Sequence, residues 1–498
     1  MVRQIDIIEQ NPWWKGKEMV SFDKDIKEYE KTEIHVERKD IAIEYGKIYV
    51  IRGPRRIGKT MWMKNKIKQL ISNNIDPRKI MYFNCETLVS RARDNLRKVI
   101  NFFLDMEAGE NYIFLDEITY VEDWQTELKF LYDGGKLSNS AVVVTGSLPF
   151  VLKKGIEYMP GRGIEGNEYL IKPVTFRDFI LSTASHTDKI FQGNTEKMRS
   201  AGNLTTIIKN LDGINLEEST DKLKDSLKLI YPFMGELRRL FEIYILTGGF
   251  PKAINNYFQH SFHIDDSLYE EIVNYILGDI TKINMDRETA RQILIAILRR
   301  IGSRYSYTSL SKDTGDEISH QTIIAYIDAL QNSYVLQTLY SYDFNKRMEN
   351  IKGAKKIYFS DPFIFYCLKS MLSGKSGFEL SAAYLQREEN RGILVENIVA
   401  THLARVKESP KMKEPITYVW FYYNDKGEID FVYKKNDDEY LGLEVKYQEK
   451  VNIGDIRRIA DIKNYILLSY ESYEFTENVV IVPVYMFLAL LKSSEKNL

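Results

Sequence analysis

Gly53-Pro54-Arg55-Arg56-Ile57-Gly58-Lys59-Thr60 carries the spacing G-x-x-x-x-G-K-[ST]. In such a loop the glycines let backbone NH groups close around phosphate oxygens at a helix N-terminus. The lysine reaches the outer phosphates and the threonine hydroxyl binds Mg2+. The chemistry is ATP binding with magnesium, and the loop together with Met61 behind it forms the candidate nucleotide contacts. The second half of such a site is an acid ending a buried strand, which Tyr112-Ile-Phe-Leu-Asp116-Glu117 supplies. Asp116 would order the metal and its water, and Glu117 would polarise the attacking water. A third run, Ala141 to Thr145, ends in Thr145-Gly146-Ser147, whose hydroxyls would sense the γ-phosphate; a plain strand-end turn is the other reading. Arg162, in Pro160-Gly161-Arg162-Gly163, is a candidate to stabilise transferring phosphate in cis or across a subunit boundary, or else a surface arginine.

A second set of acids lies near the C-terminus. Around Asn436 to Glu439 the sequence reads as a β-hairpin. If its turn centres on Asp437, Asp430 and Glu444 each lie seven residues away and face one another, with opposed Cβ atoms about 4.5–5.5 Å apart. Lys446 shares a strand face with Glu444. On the helix expected over Ile393 to Val406, Glu396 falls in the middle of the apolar face and needs a partner there, a metal or Lys446. Three acids and a lysine suit phosphodiester hydrolysis with a second Mg2+ or Mn2+: Glu396, Asp430 and Glu444 as ligands, Lys446 to position or deprotonate the nucleophile. The alternative is a relic whose acids only form ion pairs. Arg457 and Arg458, expected on a following helix, are further phosphate candidates.

The elements that position these groups are legible in the periodicity. KIYVIRGP, KIMYFNC, YIFLDEI and AVVVTGS are short buried strands separated by helix-sized intervals, which predicts a parallel sheet. From about Phe176 to Leu277 the period is helical, and the polar stretch Ser182 to Glu218 reads as a surface insertion. Residues 286–345 read helix, short helix, helix, strand. Ser319 is placed to cap the third helix, with Gln321 and Thr322 in its first turn, and Lys346, Arg347, Lys352, Lys355 and Lys356 form a basic hairpin. That arrangement resembles a winged helix, which would put Gln321 and Thr322 in a DNA groove and Lys346 and Arg347 on phosphates. Winged helices also serve as protein-interaction modules.

The loop, the LDE strand, Thr145, the Gly-Arg pair, Pro173-Val-Thr-Phe176, Leu246-Thr-Gly-Gly249-Phe-Pro251 and the N-terminal Asn11-Pro-Trp-Trp14 together resemble archaeal and bacterial ATPases of the AAA+/STAND branch. The resemblance implies a helical lid touching nucleotide through Pro251, and homo-oligomeric rings or spirals, a hexameric ring first among them. It also implies a C-terminal domain similar to the PD-(D/E)XK restriction-endonuclease fold. The sensor position departs from the relatives by holding Thr145 and Ser147. The expected organisation is an α/β P-loop core over 46–175 after an N-terminal extension (1–45), a helical lid (176–285), a winged helix (286–372) and a nuclease-like domain (373–498). The implied function is an ATPase working on DNA, or a nucleotide-dependent switch whose nuclease-like domain is inactive.

Composition sets the outer bounds. Lys+Arg 69 against Asp+Glu 70 leaves no global field, so DNA contact would come from local patches. Cys85 and Cys367 stand far apart without ligand spacing, which excludes a disulfide framework and fits a reducing cytoplasm. The apolar run Val479 to Leu491 is broken by Pro483 and falls short of the ~20 residues of a spanning helix. A membrane partner is not expected.

Overall fold

The computed structural model describes residues 3–146, 152, 155, 157–164, 166–218, 220–407, 418–436 and 439–494. These fall into two compact units, one up to residue 172 and one over 173–494.

The first unit opens with α1 (Gln4–Glu9) and α2 (Lys24–Glu30), then alternates β1 (Ile48–Arg52), α3 (Lys59–Ser72), β2 (Ile80–Asn84), α4 (Arg93–Met106), β3 (Asn111–Asp116), α5 (Trp124–Asp133), β4 (Ser140–Thr145) and β5 (Glu168–Leu170). The strands form a parallel sheet in the order β2-β3-β4-β1-β5. β1, β3 and β4 are buried along their whole lengths, which explains their continuous apolar runs. β1 and β2 are not neighbours, so the chain leaves β1 and β4 in different directions. That opens a crevice beyond the carboxyl ends of the strands, where ligands bind in sheets of this kind.

The second unit continues with helices α6 (Phe176–Ser182), α7 (Thr187–Ile190), α8 (Thr195–Asn210), α9 (Thr220–Ile230), α10 (Met234–Thr247), α11 (Pro251–Gln259) and α12 (Asp266–Lys282). The polar stretch expected as a surface insertion contains α8, an amphipathic helix that buries Ala201, Leu204 and Ile208. Its apolar residues recur every three or four positions among polar ones, so composition alone concealed it.

Next come α13 (Arg287–Leu298), β6 (Arg304–Tyr305), α14 (Tyr307–Asp313), α15 (His320–Asn332), and the antiparallel pair β7 (Leu336–Asp343) and β8 (Met348–Phe359), with β6 pairing β8. Then follow α16 (Pro362–Ser373), α17 (Gly377–Leu385), α18 (Glu388–Leu403), β9 (Val419–Asn424), β10 (Gly427–Lys434), β11 (Tyr440–Lys446), β12 (Asn464–Ser469), β13 (Glu474–Phe475), β14 (Val479–Pro483) and α19 (Val484–Leu490). One sheet runs through both stretches, in the order β13-β14-β12-β11-β10-β9-β7-β8-β6. The joint is the parallel pairing of Ser341 in β7 with Phe421 in β9. The regions expected over 286–372 and 373–498 therefore share their hydrogen-bonded framework.

Candidate functional site

The phosphate loop leaves β1 at Arg52 and enters α3 at Lys59. Gly53 is obligatory: it has φ +152° and a Cβ there would lie 2.1 Å from the Ile171 carbonyl oxygen. Gly58, at φ +100°, precedes α3 in the left-handed region that only glycine enters at little cost. Arg56 shares the positive-φ region at 61°. Arg38 clamps the loop, its guanidinium donating to the Ile57 carbonyl at 3.1 Å and to Lys172 at 2.9 Å. Pro54 and Ile57 are buried beneath it and Met61 is half-buried, while Arg55 lies 3.9 Å from Glu86. Lys59 Nζ donates to the carbonyls of Gly53 at 3.0 Å and Pro54 at 2.8 Å, so its ammonium sits over the loop it would serve.

Asp116 ends β3 with 1% exposure. Its Oδ2 accepts from Thr60 Oγ1 at 2.7 Å and from the Tyr82 hydroxyl at 2.9 Å, and its Oδ1 accepts from Thr145 Oγ1. The loop threonine, the strand acid and the candidate sensor thus meet at one carboxylate. Glu117 follows at φ 53° and ψ 41°, a left-handed geometry that costs a non-glycine residue about 1–2 kcal/mol. Its amide donates to Thr145 Oγ1 at 3.2 Å. Strain held in place by such bonds clusters where function requires an aimed side chain. Ser147 lies outside the described residues. Nothing local in the sequence marks Tyr82, because only strand pairing, which sets Asn84 beside Asp116, brings it to the site.

Arg162 is not brought to this loop within the chain. The Gly163 carbonyl accepts from Ile48 N, at the start of β1, whereas the loop leaves the other end, about 15 Å away at strand rise. Arg162 pairs with Asp133 at 2.8 and 3.0 Å and donates to the Pro160 carbonyl at 2.7 Å. Pro251 belongs to the second unit, where it opens α11. The turn before it is fixed by the buried Asp361, which accepts from Gly249 N at 2.8 Å. Val174 N donates to the Gly249 carbonyl at 2.8 Å.

The second set of acids lies on β10, β11 and α18. Phe431 pairs with Leu443, so the next position sets Asp430 opposite Glu444, with the pairing centred on residue 437. Asp430 Oδ2 accepts from Val445 N at 2.9 Å. Glu444 is 3% exposed, accepts from Arg457 N at 2.7 Å and has Lys446 Nζ at 3.8 Å. Burial raises its pKa to about 7, against the lowering effect of that amide. Glu396 lies on α18 as expected, but its partner is Lys356 of β8. Lys356 Nζ is 2.9 Å from Glu396, 3.5 Å from Asp430 and in contact with Glu428. Tyr358 OH also donates to Glu396, at 2.6 Å. Burial alone would lower the Lys356 pKa, yet Tyr358, Glu396, Asp430 and Glu428 together hold it well above the ordinary lysine value. Among the described residues no group of three or more His, Cys, Asp or Glu is arranged to hold a metal ion.

Two expectations for the basic residues are corrected. Lys355 and Lys356 are 3% and 2% exposed, so they do not belong to a solvent-facing basic hairpin; they sit where β8 runs inside the sheet. Arg457 follows a 3-10 turn (Ile453–Asp455) rather than standing on an α-helix, and donates to Lys426 O at 2.6 Å and Asn424 Oδ1 at 2.7 Å. Gln321 and Thr322 open α15, where Ser319 Oγ accepts from Thr322 N at 3.2 Å, the expected cap. Gln321 is exposed, as are Lys346 and Arg347 in the β7–β8 turn.

An AAA domain model matches residues 45–180. Two domains of unknown function match further along, DUF8612 over 238–376 and DUF4143 over 391–487. No curated protein matches. Among solved structures, the Walker-type ATPase PABY2304 of Pyrococcus abyssi is 16% identical at TM-score 0.32, covering 66% of this chain and 91% of that one. ORC1 of Aeropyrum pernix, solved with DNA, is 12% identical at TM-score 0.31, covering 66% and 87%. RuvB of Thermotoga maritima is 12% identical at TM-score 0.23, covering 70% and 93%. The family model match gives residues 45–180 an AAA-type P-loop ATPase domain. The protein is an ATPase, dependent in the manner of such domains on ATP and Mg2+.

Proposed function

We propose that the protein couples Mg2+-dependent ATP hydrolysis to work on DNA, as a homo-oligomer with a winged helix over 286–372 and a nuclease-like domain over 373–498. The observation that carries the ATP half is the convergence of Thr60, Thr145 and Tyr82 hydroxyls on the buried Asp116 at the mouth of the loop. The donor set suits magnesium, a hard cation held by a hydroxyl, a carboxylate and water. The metal, when bound, supplies charge neutralisation to the phosphates. The chain's own residues do the rest. Loop amides orient the phosphates, Lys59 exchanges its two loop carbonyls for phosphate oxygens, and Glu117 takes the proton of the attacking water. Arg162, remote from its own loop, serves a neighbouring subunit's nucleotide. For DNA, the support is α13, α14 and α15 followed by the β7–β8 hairpin, with Gln321 and Thr322 on α15 and Lys346 and Arg347 at the hairpin tip. ATP turnover with and without duplex DNA tests the coupling. Stimulation that disappears in Lys346→Ala/Arg347→Ala supports it, and turnover indifferent to DNA across salt concentrations contradicts it.

A second reading, a nucleotide-dependent switch with an inert nuclease-like domain, is favoured by Lys356 standing among Glu396, Glu428 and Asp430. DNA incubated with Mg2+ or Mn2+ separates the two. Products lost in both Asp430→Ala and Lys446→Ala support a cutting site, and intact DNA supports the switch.

A further inference from the structure

Tyr82 connects the candidate metal-holding acid to the N-terminal segment. Its hydroxyl donates to Asp116 Oδ2 at 2.9 Å, the oxygen that also accepts from Thr60. Its ring is faced by Lys64 Nζ, 3.4 Å from the centroid. Lys64 is one turn beyond Thr60 on α3, on the same helix face. The lysine is in turn fixed by Asp23 at 2.7 Å, with 2% and 7% exposure for the two side chains. Asp23 cannot drift, because its other oxygen caps α2 by accepting from Asp25 N at 3.0 Å and Ile26 N at 3.2 Å.

The Tyr82 backbone is held from the same segment. β2 is the edge of the sheet, and its outward peptide groups would otherwise be open for pairing. Asn11 closes them like a partner strand: Nδ2 donates to Tyr82 O at 2.9 Å and Oδ1 accepts from Tyr82 N at 2.7 Å. On either side, Trp13 and Trp14 donate to Ile80 O at 3.0 and 2.8 Å, and Gln10 Oε1 accepts from Asn84 N at 2.7 Å. Edge closure alone requires no hydroxyl on the residue at position 82. The bond to Asp116 is an additional feature, and it ends at the group the nucleotide site depends on.

We propose that Tyr82 is a positioning residue for Asp116, and that residues 10–23 are through it a working part of the nucleotide site. The inference rests on reading Asp116 as the acid that orders magnesium. With one oxygen shared between two hydroxyls and the other bonded to Thr145, the carboxylate keeps one rotamer. Loss of the tyrosine hydroxyl leaves that rotamer under-determined, and partners of metal ligands typically carry 10- to 100-fold in metal affinity or activity when removed, roughly.

The test is the Mg2+ concentration required for half-maximal ATP hydrolysis. Tyr82→Phe, which keeps the ring beneath Lys64, is expected to raise it about 10-fold with the KM for ATP at saturating Mg2+ and the melting temperature close to wild type. Asn11→Ala and Asp23→Asn shift it in the same direction by less, and their effects vanish in the Tyr82→Phe background, as they do not if they merely loosen the fold. An unchanged Mg2+ requirement in Tyr82→Phe, alongside hydrolysis that needs Lys59, overturns this inference alone. Hydrolysis that survives Lys59→Ala overturns the reading of the loop, and this inference with it.

Discussion

Asp116 is a buried acid and Asp430 a half-buried one, and their surroundings differ in kind. Among the described residues, Asp116 receives its hydrogen bonds from the hydroxyls of Thr60, Tyr82 and Thr145. Hydroxyls orient a carboxylate without neutralising it. Asp430, Glu428 and Glu396 are gathered around the ammonium of Lys356, so part of their charge is balanced by the fold itself. Burial together with the Asp430 charge, partly offset by Lys356, raises the Glu396 pKa, another route to low net charge. The first arrangement leaves room in its electrostatics for a cation and the second already contains one. Three acids and a lysine at the right spacing thus do not define a metal centre until the position of every cation is known.

The sharpest way to stress the contrast is Glu117→Gln. It leaves the Asp116 hydroxyls untouched while removing the base, and is expected to lower kcat for ATP about 100- to 1,000-fold with nucleotide binding retained, as measured by steady-state turnover beside equilibrium titration. Lys356→Met attacks the other side. Unbalancing three acids should destabilise the second unit by about 3–5 kcal/mol, and Mn2+ should restore part of this by binding where the ammonium stood, whereas the wild type gains no Asp430-dependent stability from Mn2+. Denaturant melts with and without the metal read both. A smaller effect concerns pH. His402 accepts from Phe176 N at 2.9 Å and holds Ile398 O at 2.8 Å, and burial, with the charge of Arg405, lowers its pKa from 6.5 to about 3. Between those values the unfolded chain binds the proton and the folded one does not, so stability falls as pH falls. His402→Gln should lack that component, roughly 2–3 kcal/mol between about pH 7.5 and about pH 4.5. Identical pH slopes for both proteins would mean that His402 is not held neutral.

How much of this was legible in the sequence follows from how local each feature is. The loop, the strand that ends at Asp116 and the cap at Ser319 depend on neighbours within one turn, and they could be read directly. The register of the β10–β11 hairpin, centred on residue 437, was legible because a hairpin has period two and a single free parameter, its centre. Lys356 was not, since its place among the acids depends on β7 pairing with β9, a contact between segments some eighty residues apart. Tyr82 required knowing that β2 lies beside β3. For Arg162, the direction of β1 decided which end of the sheet it occupies, and this relegates it from its own loop. Asn11, Trp13 and Trp14 were conspicuous as residue types, but edge closure of β2 is visible only when the strand order is known.

ATP hydrolysis in Mg2+ by the wild type, Lys59→Ala and Asp430→Ala tests the central claim most directly, because it asks which of the two acidic sites turns over nucleotide. Turnover in the wild type, turnover close to it in Asp430→Ala and a loss of at least about 100-fold in Lys59→Ala are the expected result. Turnover undiminished in Lys59→Ala would contradict that claim.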